Sequence, residues 1–124
     1  MTIINSDAAP VFYIPGVQFT GLASPQRGSR ENSVWRVRVE PGAEPTIHKL
    51  TREEVFVALS GSAQLHIDGT VHDLAAGGAA IVRPGVDFGL ANPGDTPFEA
   101  VVVLPVGGQA VMPGEPPFTP PWAA

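Results

Sequence analysis

His48 and Glu54 are the residues of this chain whose types and spacing best suit chemistry. An imidazole titrates near neutral pH, and a carboxylate six residues further on could share one site with it across a strand turn. Such a pair supports two kinds of chemistry. It could give two donors to a divalent metal. It could also move protons, with Glu54 accepting a hydrogen bond from one ring nitrogen of His48 and the other nitrogen acting as general base. The surroundings are apolar. Leu50 lies between the two, and Val55-Phe56-Val57-Ala58-Leu59 follows Glu54 directly before Ser60-Gly61.

Few other residues compete for a chemical role. There is no cysteine, which excludes thiolate nucleophiles, disulfides and cysteine metal sites. His66 and His72 are the remaining histidines. His66 alternates with the apolar set of its run, and His72 follows a turn, so both are expected at the surface. Gln64 could reach inward. Arg36 and Arg38 alternate with Trp35, Val37 and Val39. If their face pointed into the fold, the two guanidinium groups could clamp a substrate carboxylate; otherwise they form a solvated strand face. Trp35 and Trp122 are expected to serve packing or an interface. No glycine loop of the phosphate-cradling kind is present.

These residues must be positioned by short strands. Fourteen glycines and fourteen prolines in 124 residues punctuate the chain with turns. Apolar or alternating runs over Val11–Ile14, Ser33–Glu40, Glu54–Leu59, Ala63–Ile67, Ala79–Val82, Phe88–Ala91 and Phe98–Leu104 each end on a turn signal. Asp68-Gly69 reads as a two-residue hairpin. No helical period is found, so the spacing predicts an all-β sandwich or barrel with essentially no helix. The runs Val55–Leu59 and Ala100–Leu104 are apolar on both strand faces, which predicts cover on both sides, from a second sheet or a second subunit.

Length and charge narrow the classes further. At 124 residues one domain is expected, with a net charge of -5 and a single lysine. No basic cluster is available for a phosphate backbone, so nucleic acid is not an expected partner. There is neither a membrane-length apolar run nor a signal-peptide pattern, and a cytoplasmic location is expected.

The segment Gly42–Gly61 resembles the first motif of the cupin superfamily, a glycine followed by His-x-His, a glutamate and a closing glycine. Gly42, His48, Glu54 and Gly61 stand in register, with Leu50 in the place of the second histidine. Gly77, Gly85 and Asn92 match the second motif, with Arg83 in the place of its proline and Phe88 in the place of its histidine. The resemblance implies a double-stranded β-helix, or jelly-roll barrel, over residues 33–104. An N-terminal arm with short strands (1–32) would precede it, and a proline-rich arm (105–124) would pack on the barrel or on a partner. It also implies a homodimer.

In that family three histidines and the glutamate commonly bind one divalent metal, and this chain keeps two of those four positions, His48 and Glu54. No cofactor is therefore expected beyond a weakly held divalent metal. The expectation is a small-molecule pocket centred on His48 and Glu54 and walled by Leu50, Phe56 and Phe88, with Arg36, Arg38 and Gln64 as further pocket candidates. Three activities follow as alternatives: metal-free acid–base isomerisation or cyclisation, weak metal-dependent chemistry of the dioxygenase or isomerase type, and ligand binding or packing without catalysis.

Overall fold

The computed structural model describes all 124 residues. The strands are β1 (Val11–Ile14), β2 (Val17–Ala23), β3 (Asn32–Val39), β4 (Lys49–Leu50), β5 (Glu54–Ser60), β6 (Ser62–Ile67), β7 (Thr70–Ala75), β8 (Ala79–Val82), β9 (Phe88–Ala91), β10 (Phe98–Pro105) and β11 (Ala110–Val111). Only three single 3₁₀ turns interrupt them, Ser6–Ala8, Pro25–Arg27 and Pro121–Ala123. No helix is long and apolar enough to cross a membrane.

All pairing is antiparallel. A six-stranded sheet runs in the order β1-β2-β3-β10-β5-β8, a three-stranded sheet in the order β7-β6-β9, and β4 pairs with β11. Alternation explains the layers. On β3 the side chains of Trp35, Val37 and Val39 point inward and are almost fully buried. On β10, Phe98, Ala100, Val102 and Leu104 are wholly buried at the centre of the six-stranded sheet. Ala63 and Leu65 face them from β6 and Leu74 from β7, closing one core between the sheets.

The inward face of the doubly apolar runs is thus covered by the barrel. Their outward face is not: Val57 and Leu59 are exposed, and Ile81 on the neighbouring strand is 63% exposed.

Two turns depend on backbone conformation. Asp68 and Gly69 both have positive φ, 47° and 80°, and join β6 to β7 between paired Ile67 and Thr70. That is the primed two-residue hairpin that Asp-Gly favours. Gly61, with φ 72°, turns β5 into β6 against the Pro97 carbonyl, where a Cβ would overlap the oxygen.

The tail crosses the barrel. Ala110 exchanges both backbone hydrogen bonds with Phe118. The Trp122 ring stacks on Phe19 of β2, with centroids 3.7 Å apart and planes 3° from parallel. Arg27 Nη2 donates to the Trp122 carbonyl at 3.2 Å and Ser33 Oγ to the Ala123 carbonyl at 2.7 Å.

Candidate active site

A cavity of about 410 Å³ opens inside the barrel. Val17 and Phe19 of β2 line it, with Trp35, Val37 and Val39 of β3, Leu50 of β4, Glu54 and Phe56 of β5, and Phe88 and Leu90 of β9. The tail closes it with Ala110, Met112, Phe118, Pro120 and Trp122. The polar lining is Glu44, Thr46, His48 and Glu54.

The four motif positions therefore meet in one place. His48 and Phe88 are cross-strand partners that exchange both backbone hydrogen bonds, at 3.0 and 2.9 Å. Such pairing sets side chains beside each other on one face, and their rings lie 4.4 Å apart at 45°. Phe56 meets the edge of Phe88 at 6.1 Å. Leu50 is buried in the same wall.

The expected hydrogen bond between His48 and Glu54 does not form. The nearest acceptor for the ring is instead a main-chain oxygen, with His48 Nδ1 2.7 Å from the Thr46 carbonyl. A carbonyl only accepts, so Nδ1 carries the proton and donates. In the neutral ring the lone pair then belongs to Nε2. Burial lowers the pKa of His48 from its ordinary value, against the opposing pull of the Thr46 carbonyl. The ring is thereby held neutral, with the Nε2 lone pair available.

Glu54 behaves in the opposite sense. Its residue is 4% exposed, and its carboxyl makes no hydrogen bond or ion pair with the protein. Burial alone pushes its pKa up to about 8. A carboxyl in apolar surroundings keeps its proton because the charged form loses hydration that nothing replaces. At neutral pH Glu54 is an acid with a proton to donate.

Three pocket candidates from the sequence lie elsewhere. Arg36 and Arg38 face away from the cavity, because Trp35, Val37 and Val39 take the inward positions of β3. They line a shallow polar depression on the outer sheet face with Gln18, Thr20 and Glu99, where Arg38 Nε pairs with Glu40 at 2.7 Å. Gln64 is turned outward by the same alternation, opposite Asp73 and Ala91, while Ala63 and Leu65 face the core. His66 shares the outward face of Gln64, and His72 is exposed beside the Thr70 hydroxyl at 3.1 Å.

Other residues of the site carried little signal in sequence. Phe19 lies in a strand without clean alternation. Trp35 and Trp122, expected as packing residues, both wall the cavity. The presence of Phe118 and Trp122 in the proline-rich tail was the available sign that the tail reaches the site.

A divalent metal does not fit these residues. Leu50 and Phe88 fill the two positions that would complete a four-ligand shell. No group of three or more His, Asp or Glu side chains is placed to hold one ion. A catalytic metal ordinarily requires about three protein ligands, and a protonated Glu54 is a poor one.

Comparison with known proteins agrees with this architecture. The chain superposes on the polyketide cyclase RemF from Streptomyces resistomycificus with a TM-score of 0.75 and 18% identity, over 85% of this chain and 79% of that one. An RmlC-like cupin from Shewanella frigidimarina gives a TM-score of 0.72 and 21% identity, over 83% and 88% of the two chains. A predicted oxalate decarboxylase from Thermotoga maritima gives 0.70 and 21%, over 89% and 98%. Comparison with curated proteins gives no match. The model of the cupin domain matches residues 35–104, more than half of the chain and the span that carries both motifs, so the protein belongs to the cupin family.

Proposed function

We propose that the protein is a metal-free acid–base enzyme that shifts protons on a carbonyl compound, as an isomerase or cyclase. The observation that carries this reading is the pair of opposed environments in one apolar cavity. His48 is held neutral with Nε2 free, and Glu54 is held protonated without a partner. Environments that push two titratable groups apart in this way are how a fold assigns base and acid at one pH.

The chemistry follows from those states. Nε2 of His48 takes a proton from the carbon next to a carbonyl. The C–H electron pair becomes the C=C bond of an enol, and the carbonyl π pair takes the proton of Glu54. Reversal at a different carbon returns one proton from the imidazolium and one from the enol hydroxyl to Glu54. An isomerisation then consumes nothing and needs no co-reactant. In a cyclisation the enol carbon instead attacks a second carbonyl of the same molecule, whose oxygen takes the imidazolium proton while the enol hydroxyl returns its proton to Glu54. One of the fold neighbours is a polyketide cyclase, but at 18% identity it supports the fold alone.

Deuterium uptake at the acidic carbon of β-tetralone in D₂O, followed by NMR, tests the proposal without knowledge of the natural substrate. General acid–base catalysis contributes roughly 10²–10⁴-fold in rate. His48→Ala is expected to lose about that much of the protein-catalysed exchange, and Glu54→Gln a similar share. The rate should also fall as pH rises past about 8 and Glu54 ionises. Exchange no faster with the intact protein than with a variant carrying both substitutions would overturn it.

A further inference from the structure

We infer that the cavity takes an uncharged, flat aromatic ketone or phenol of two to three fused rings and turns away anions of the same shape. This rests on the cavity being the substrate site proposed above. It adds what that substrate must look like.

Charge supplies the first argument. The chain has seven lysine and arginine residues, and none of them lines the cavity. Two carboxyl groups do, Glu44 and Glu54. A carboxylate or phosphate entering this space would lose its hydration without meeting a guanidinium, an ammonium or a helix N-terminus. It would also face the exposed carboxyl group of Glu44. Arg36 and Arg38, the residues that could have clamped an anion, lie outside the barrel.

Shape supplies the second. The stacked rings of Phe19 and Trp122, 3° from parallel, give the cavity a flat aromatic wall. Phe56 and Phe88 add an edge-to-face pair at 69°. Aromatic guests gain from offset stacking and edge contacts with such walls. The volume of about 410 Å³, filled to the density of a protein interior, holds roughly 20 non-hydrogen atoms, two or three fused rings with their substituents. Polar groups are few, His48 and Glu54 within and Glu44 and Thr46 beside them, which suits a guest with one or two oxygens on an apolar body.

The test compares two probes of nearly equal shape, β-naphthol and β-naphthoate, by isothermal titration calorimetry at pH 7. Position is read from the indole N–H signals in a ¹⁵N NMR spectrum. Trp35 and Trp122 are the chain's two tryptophans and both wall the cavity. β-Naphthol is expected to bind and shift both signals, and β-naphthoate to bind at least tenfold more weakly. Glu44→Arg, a change at an exposed position, is expected to raise the affinity ratio of naphthoate to naphthol at least fivefold. No binding of naphthol, unmoved indole signals, or naphthoate binding within threefold of naphthol would each overturn the inference. Naphthol binding as described without tetralone exchange would remove the proton-transfer mechanism alone. Exchange accompanied by equal binding of naphthoate would remove the substrate class alone.

Discussion

At the scale of the residue, Glu54 ties the proposed chemistry to stability. Its ordinary pKa is 4.5 and burial in the fold raises it to about 8. The unfolded chain therefore releases this proton at a lower pH than the folded one. The sign is fixed by linkage: the fold carries no penalty from Glu54 below about pH 4.5, and stability drains away as pH rises from there through about 8. Glu54→Gln keeps the shape and removes the titration. It is expected to be more stable than the parent at pH 8 by on the order of 3 kcal/mol, with little difference at pH 4, measured by urea unfolding at both values. A variant no more stable than the parent at pH 8 would show that Glu54 is ionised or partnered there. Leu50 and Phe88 were legible as apolar replacements for donors, because a motif in register names the position of each side chain. The Thr46 carbonyl was not, since it is main chain and any residue type could supply it. Nor was the protonation state of Glu54, which depends on depth and on the lack of a partner. Arg36 and Arg38 show the limit of alternation: it separates two faces, and only the packed sheet decides which of them is inside.

At the scale of the element, turns were legible where glycine has a steric duty. Asp68-Gly69 and the runs ending at Pro15-Gly16 and Pro84-Gly85 mark strand ends within a residue or two. β2 escaped notice, and β7 was implied only by the hairpin turn before it. β2 reads Val-Gln-Phe-Thr-Gly-Leu-Ala, with a glycine just past its centre, and β7 is a polar edge strand with one buried residue, Leu74. Neither shows the period that a half-buried strand displays. The two-residue ladder of β4 with β11 is set by tertiary contact between distant segments. Among the glycines, Gly61 and Gly85 separate two costs. Both have positive φ, 72° and 78°, but a Cβ at Gly61 would overlap the Pro97 carbonyl oxygen while Gly85 has nothing within 4 Å. Gly85→Ala is expected to lose about 1 kcal/mol from backbone conformation alone. Gly61→Ala is expected to lose about 3 kcal/mol, because β5 and the loop before β10 must also move apart. Thermal melts of the two variants check the difference; equal losses would mean that the turn relaxes freely.

At the scale of the whole molecule, the register lines up an apolar patch on the outside of the six-stranded sheet. Ile81, Val55, Val103 and Val34 are successive cross-strand partners, and Ala79, Val57 and Val101 form the row beside them. All seven side chains point away from the barrel core. The double apolarity of β5 and β10 thus has one explanation inside the barrel and needs another outside it. Six strands at ~4.8 Å spacing and about seven residues at ~3.3 Å give a face of roughly 650 Å², near the ~800 Å² per partner of a standard interface. Both charge signs sit at its polar end, Arg36 and Arg38 with Glu99, so the face is compatible with itself across a two-fold axis. The expected cover is a second copy of the chain. Light scattering should then give twice the chain mass of 12.9 kDa. Val57→Asp together with Ile81→Asp, both at exposed positions, should return the mass to that of one chain. Naphthol binding within the barrel should survive the change, since neither residue reaches the cavity. A parent protein that scatters as a single chain at high micromolar concentration would rule this association out and leave the patch as exposed sheet.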